Sequence, residues 1–272
     1  MTMDDSTSGS GPFDIIGDVH GCADELEELL GQLGYRLEWN GKTVTVTPPT
    51  GRRAVFLGDL VDRGPRSPDT LRIARHMVEN DHALAVVGNH DDKLMRHLAG
   101  RNVTISHGLA ETIEQLREEP PEFLAGMQAW LGTLPSHHVL DHGKLIVAHA
   151  GFKESLLGRT GKSVRAFCMY GETTGKIDEF GLPVRGDWAA GYAGKAVVVY
   201  GHTPVREAEW VGRTVCIDTG CVFGVKLTAL RYPELELVSV PARRIHCPPT
   251  RPLKAPSGRS SPAPLAFPPN SH

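Results

Sequence analysis

Cysteine is scarce in this chain and does not come in pairs. Cys22, Cys168, Cys216, Cys221 and Cys247 are an odd, scattered set with no C-x-x-C spacing. That argues against a disulfide framework and for a reducing cytoplasm, with all five read as buried or half-buried thiols. No apolar run approaches the roughly 18–20 residues that span a bilayer, so membrane insertion is not expected. The first residues, MTMDDSTSGSGP, have neither the basic start nor the apolar core of a signal peptide. A charge excess is missing too. With 29 Lys+Arg against 32 Asp+Glu and a net charge of -3, the chain has no broad cationic face to grip the groove of duplex DNA. An enzyme that handles only a strand end remains compatible with that balance. What is present, 272 residues that are 40% hydrophobic and 22% charged, is enough for one large domain or two small ones.

The two ends read as non-structural. Residues 1–12 are rich in Ser, Thr, Gly and Asp and form an expected flexible N-terminus. Nine of the 20 prolines lie from Pro241 onward, so residues 246–272 are expected to be a Pro-rich, disordered tail after a domain spanning 13–245. Between them strand and helix signals alternate. Asp14-Ile15-Ile16-Gly17 fits a short buried strand, and Leu26, Leu29, Leu30 and Leu33 form the apolar stripe of a helix. Residues 36–47 alternate around Asn40-Gly41, a hairpin signal. Further strands are expected at 54–57, 83–87, 145–147, 196–200, 214–217, 227–230 and 235–240. Helices are expected near 68–80, from about Asp91, and through much of 107–133. The fold class is α/β, with a mixed sheet or two stacked sheets. No internal repeat is visible.

Chemistry concentrates where these strands end. Asp18 and His20, Asp59 and Asp62, Asn89 and His90, His149, and His202 each follow a buried strand and stand beside glycine. Ligands of open α/β sheets bind at the carboxyl ends of strands, and five such ends converge if the strands are neighbours. Asp, Asn and His without thiolate suit Mn, Fe, Zn, Ni or Co. Singly, each residue also reads as a turn residue, a surface ion pair or a hydrogen-bonded histidine; together they point to a site for two metal ions.

Asp18-Val19-His20-Gly21, Gly58-Asp59-Leu60-Val61-Asp62-Arg63-Gly64, Gly88-Asn89-His90-Asp91, His149-Ala150-Gly151 and Gly201-His202-Thr203-Pro204 resemble, in order and spacing, the motifs of the calcineurin-like metallophosphoesterases. The likeness runs to the branch holding Ser/Thr protein phosphatases and diadenosine tetraphosphatases. The stretches 100–103, 170–175, 216–224 and 227–234 look like the phosphatase module of bacterial polynucleotide kinase-phosphatases. No Walker-type phosphate loop or nucleotidyltransferase lysine motif accompanies them. The resemblance implies two stacked mixed β-sheets flanked by helices. It also implies two divalent ions, manganese foremost: Asp18 and His20 on the first, Asp59 bridging, and Asn89, His149 and His202 on the second. Attack by a hydroxide bridging the ions would need no phospho-enzyme. Arg63 is then the phosphate clamp, His90 the general acid and a phosphate contact, and Asp62 the carboxylate that orients His90. Asp218 matches an acidic position that would orient a histidine ligand.

Lys93 and Arg101 could line the approach of a second phosphate, and Tyr170, Trp188 and Tyr192 could stack on a base; a solvated helix face and a packed core are the plainer alternatives. The leading expectation is hydrolysis of phosphate monoesters, and of 2′,3′-cyclic phosphates, on nucleotides or on RNA and DNA ends. Alternatives are hydrolysis of diadenosine tetraphosphate, a phosphoprotein substrate as for a Ser/Thr phosphatase, or a non-enzymatic, metal-bound scaffold of a split RNA-repair system. Oligomeric state is not legible.

Overall fold

The computed structural model describes residues 9–254; residues 1–8 of the expected flexible N-terminus (1–12) and the tail from 255 onward lie outside the described residues. The elements run β1 (Phe13–Ile16), α1 (Ala23–Gln32), β2 (Arg36–Asn40), β3 (Thr43–Thr47), β4 (Arg53–Phe56), α2 (Ser67–Glu79) and β5 (Ala83–Ala85). Next come α3 (Asn89–Leu98), α4 (Leu109–Leu116), α5 (Pro121–Thr133), β6 (His137–Leu140), β7 (Leu145–Ala148) and α6 (Lys162–Tyr170). The chain continues with β8 (Thr173–Ile177), β9 (Pro183–Arg185), β10 (Val197–Tyr200), β11 (Trp210–Val211), β12 (Thr214–Cys216), β13 (Lys226–Tyr232) and β14 (Glu236–Pro241).

Two five-stranded mixed sheets result, in the orders β14-β13-β1-β4-β5 and β11-β12-β10-β7-β6. In the first, β1, β4 and β5 run parallel and β13 pairs antiparallel with β1; in the second, β7, β10 and β12 run parallel. The short apolar runs follow from burial on both faces. Phe13 and Ile15 of β1, Val55 of β4, Leu145 and Val147 of β7 and Val197 and Val199 of β10 meet between the sheets. The alternate residues Ile16, Ala54 and Phe56 face a core shared with α1, α2 and α5, while Ile146, Ala148 and Val198 face α6 and Trp188. The expected two stacked mixed sheets flanked by helices are what the chain forms.

The hairpin of β2 and β3 turns at Gly41 and Lys42, one residue later than expected. Gly41 takes the first turn position at φ 59, the positive-φ site a type II′ turn reserves for glycine. Sequence periodicity left out β6, α6, β8, β9 and β11. The tail boundary also moves. Residues 246–254 lie against the domain: the backbone N–H groups of His246 and Cys247 donate to Val222 O at 3.1 Å, and Lys254 pairs with Val205. At the other end Gly9 O accepts from Asp141 N at 3.1 Å. All five cysteines are free thiols. Among the described residues no helix is long and apolar enough to cross a membrane.

One charged residue interrupts the apolar strand β1. Asp14 is fully buried and accepts from Arg52 Nε at 3.1 Å, Arg231 Nε at 3.2 Å and Tyr35 Oη at 3.2 Å, tying β1 to β13 and to the segments before β2 and β4. Removing one partner of such a cluster strands a buried charge. Asp14→Ala should lower unfolding stability by about 3–5 kcal/mol, read from urea denaturation.

Candidate metal centre

The five strand ends do converge. The loops after β1 and β4 are joined by backbone hydrogen bonds from His20 N to Asp59 O at 2.8 Å and from Gly21 N to Leu60 O at 2.9 Å. The loop after β5 joins them through Asp91, whose Oδ1 accepts from Leu60 N at 2.9 Å and Oδ2 from Gly88 N at 3.0 Å. Asp91 is the third residue of α3, so it also caps that helix by reaching back to its own first turn. Its role was not assigned from the sequence, although it closes the Gly88-Asn89-His90-Asp91 motif. Burial and the neighbouring Asp59 charge push its carboxyl up to about 7.

Asp59 lies at the middle of the cluster. Its Oδ2 is 3.6 Å from His20 Nε2 and 3.3 Å from His149 Nε2. His20, Asp59 and His90 form one group of donors and Asp59, His149 and His202 a second, with the donor atoms of each group within 4.8 Å of one another. Asn89 Oδ1 stands 3.0 Å from His149 Nε2. Asp18 Oδ2 accepts from His202 N at 2.9 Å. The structure therefore brings together all six residues expected to hold metal.

Tautomers are set by the backbone. His20 Nδ1 donates to Val61 O at 2.8 Å and His149 Nδ1 to Leu57 O at 3.0 Å. Each imidazole thus presents the Nε2 lone pair to the centre, as a metal ligand must. There the lone pairs face other acceptors: His149 Nε2 meets Asn89 Oδ1, and also His202 Nδ1 at 3.1 Å. Asp18 Oδ1 and His202 Nε2 are buried with no hydrogen-bond partner at all. Electrostatics says the same. Burial, followed by the Asp218 charge, raises the Asp18 carboxyl well above the usual range. Burial disfavours the charged form of His149, yet Asp59 and Asp18 outweigh it and lift the imidazole to about 10. Burial likewise opposes ionisation of Asp59, but His149 and His90 hold it well below the ordinary value. Converging lone pairs, orphaned buried oxygen and nitrogen atoms and a proton-hungry imidazole fit cations of the borderline class.

Beside the donors sits a cationic fork. Arg63 Nη1 donates to His20 Nε2 at 2.7 Å and Nη2 to His90 Nε2 at 3.1 Å, with its guanidinium 5.4 Å from the Phe223 ring centre. His90 Nδ1 donates to Asp62 Oδ2 at 2.6 Å, and Asp62 Oδ1 accepts from Thr112 Oγ1 at 2.8 Å. Thr112, on α4, went unnoticed in the sequence because nothing local marks a threonine as a carboxylate's partner. Asp218 is buried against Asp18 and bonds Gly220 N at 3.1 Å rather than an imidazole; burial pushes its carboxyl up to about 6. The remaining expectations divide. Lys93 is half-buried, donates to Ser106 O at 2.8 Å and feels the charges of Asp62 and Arg63, whereas Arg101 is exposed. Trp188 is buried against Tyr200, ring centres 4.8 Å apart, and Tyr192 stands edge-on to it, so these two are core residues; Tyr170 is 40% exposed.

Comparison with known proteins agrees with this geometry. A family model described as calcineurin-like phosphoesterase matches residues 11–227. The bis(5′-nucleosyl)-tetraphosphatase PrpE (asymmetrical) of Halalkalibacterium halodurans is 48% identical over 236 residues, 85% of this chain and 94% of that protein. A crystal structure offered as a candidate diadenosine tetraphosphatase aligns with a TM-score of 0.63 at 24% identity, over 87% of this chain and 96% of that one. A protein serine/threonine phosphatase from Saccharomyces cerevisiae aligns with a TM-score of 0.57 at 13% identity, over 88% and 81%. At such identities the two structures speak for the fold alone.

The loops interlock so closely that one methyl group should undo the centre. Gly88 has an ordinary backbone (φ -87), but a Cβ there would come within 2.2 Å of Asp59 N and Oδ1. Gly88→Ala should therefore displace Asp59. Manganese should bind it at least about tenfold more weakly than it binds the parent chain, as titration calorimetry after chelator treatment would show.

Proposed function

The chain belongs to the calcineurin-like phosphoesterase family, and from that premise we propose that it hydrolyses dinucleoside tetraphosphates, splitting the four-phosphate bridge unequally into a nucleoside monophosphate and a nucleoside triphosphate. The broader activity, phosphoric ester hydrolysis, comes with the family. The observation that carries the finer reading is the 48% identity to an asymmetrical bis(5′-nucleosyl)-tetraphosphatase along 94% of its length. The nucleic-acid-end reading rested on short flanking stretches and ranks behind it.

In this reading Asp18, His20, Asp59, Asn89, His149 and His202 would hold two divalent ions, manganese foremost. When bound, the ions supply Lewis-acid charge toward water and phosphate. The protein's own groups do the rest. The planar Arg63 fork, steadied against Phe223, exchanges its imidazole partners for two nonbridging phosphate oxygens and holds the charge that builds on them. His90 keeps its Nδ1–H on Asp62, which turns Nε2 toward the substrate; once Arg63 has moved to phosphate, Nε2 takes a proton from solvent, and the imidazolium passes that proton to the departing phosphate oxygen and returns to neutral. Asp62 is itself pinned by Thr112, so the ring has one orientation. Asp218 acts from beside Asp18, keeping negative charge close to the ligand set.

Manganese-loaded protein, assayed side by side on diadenosine tetraphosphate, an RNA 3′-phosphate and a phosphoserine peptide, should show its highest kcat/KM on the first. A preference for either of the others would overturn the reading. His90→Asn should lower kcat by about 10²- to 10⁴-fold, with a smaller loss on p-nitrophenyl phosphate, whose leaving group needs little protonation. Equal losses on both substrates would remove His90 from proton transfer.

A further inference from the structure

A tetraphosphate bridge places one phosphorus beside Arg63 and His90 and leaves its other phosphates, with their charge, to be held elsewhere. On the His149 side of the centre the fold builds an arm from β8 and β9. It is rooted on the ligand loop itself: Ala150 N donates to Cys168 O at 2.6 Å, and a side chain at Gly171 would meet Ala150 O at 3.3 Å. Trp188, just beyond β9, covers Gly151 so closely that a Cβ there would lie 2.3 Å from its ring.

At the base of this arm Arg185 pairs across the hairpin with Thr173 and donates from Nη1 to the carbonyl of Tyr170. Its guanidinium is half-buried, and no carboxylate pairs with it among the described residues. Arg251, in the segment after β14, binds Asp178 at the turn of the arm at 3.2 Å. Burial and the charge of Arg251 both lower the pKa of Arg185, and the Arg185 charge reaches His202 in turn. Asp178 answers the charge of Arg251, whereas no carboxylate among the described residues answers that of the half-buried Arg185, which leaves it ready to pair with an arriving anion.

We infer that Arg185, backed by Arg251, is a second anion site of the same centre, which takes the outer phosphates of a polyphosphate ester and so favours dinucleoside polyphosphates over simple monoesters. The inference rests on the tetraphosphatase reading above. It makes Arg63 the clamp of the phosphate that is cut and Arg185 the clamp of those that are not.

Arg185→Gln removes the charge and keeps an N–H donor for the Tyr170 carbonyl. In the full, manganese-loaded chain, its kcat/KM for diadenosine tetraphosphate should fall about ten- to hundredfold further than its kcat/KM for p-nitrophenyl phosphate, mainly through KM. Inhibition of the p-nitrophenyl phosphate reaction by tripolyphosphate should weaken by a similar factor, and inhibition by orthophosphate by much less. Arg251→Ala should move both readouts the same way by a smaller amount, and Arg185→Lys should restore part of the loss. Equal falls on the two substrates, or unchanged tripolyphosphate inhibition, would overturn the second site. If the parent chain leaves diadenosine tetraphosphate intact, the proposed function fails instead, and tripolyphosphate against orthophosphate alone decides the role of Arg185.

Discussion

The centre of this protein is built around a demand for positive charge. Three carboxylates, Asp18, Asp59 and Asp218, and the imidazoles of His20, His149 and His202 are gathered at the strand ends where water scarcely reaches. Their donor atoms face one another rather than complementary partners. Such an arrangement is unfavourable by itself and becomes favourable only around cations. The Arg63 fork meets part of that demand at His20 and His90, and the upward pull of Asp59 and Asp18 on the His149 imidazole expresses the same demand as affinity for a proton. Ligand binding, substrate recognition and the electrostatics of the loops thus trace back to a single imbalance.

The two sheets exist, in functional terms, to hold that imbalance still. β1, β4 and β5 deliver three ligand loops side by side because they are parallel neighbours, and β7 and β10 deliver His149 and His202 from the facing sheet for the same reason. The apolar layer between the sheets fixes the distance between the two sets. Backbone strain is concentrated at the same place: His20, Asp59, Asp62, Arg63 and His202 all have positive φ, an orientation non-glycine residues seldom adopt. Packing elsewhere holds these residues where their side chains can meet.

Much of this was legible in the sequence because the loops are short and follow short, nearly unbroken apolar runs. The six residues expected to hold metal and the Asp62, Arg63 and His90 set stand in short segments with glycines that mark the turns, and the fold gathers them at one place. What was hidden lacked a local signature. Thr112 acts on Asp62 from fifty residues away, and Asp14 reads as one polar letter in an apolar strand until Arg52 and Arg231 fold over it. The arm of β8 and β9 is exposed on both faces, so it has no hydrophobic alternation to read. Residues 246–254 looked like tail because proline recurs in them without an apolar pattern, yet backbone hydrogen bonds, an ion pair and the packing of Cys247 fasten them down.

Several of the bonds that join the loops after β1, β4 and β5 run between backbone groups or end on Asp91, while others use the candidate ligands themselves: His20 Nδ1 donates to Val61 O at 2.8 Å and His90 N to Asp59 Oδ1 at 3.0 Å. Much of the scaffold is consequently knit by groups that would not touch a cation, and His20 and Asp59 serve both scaffold and cluster. A cation would enter a mould whose shape was largely cast beforehand, and exchanging one ion for another would ask little rebuilding of the polypeptide.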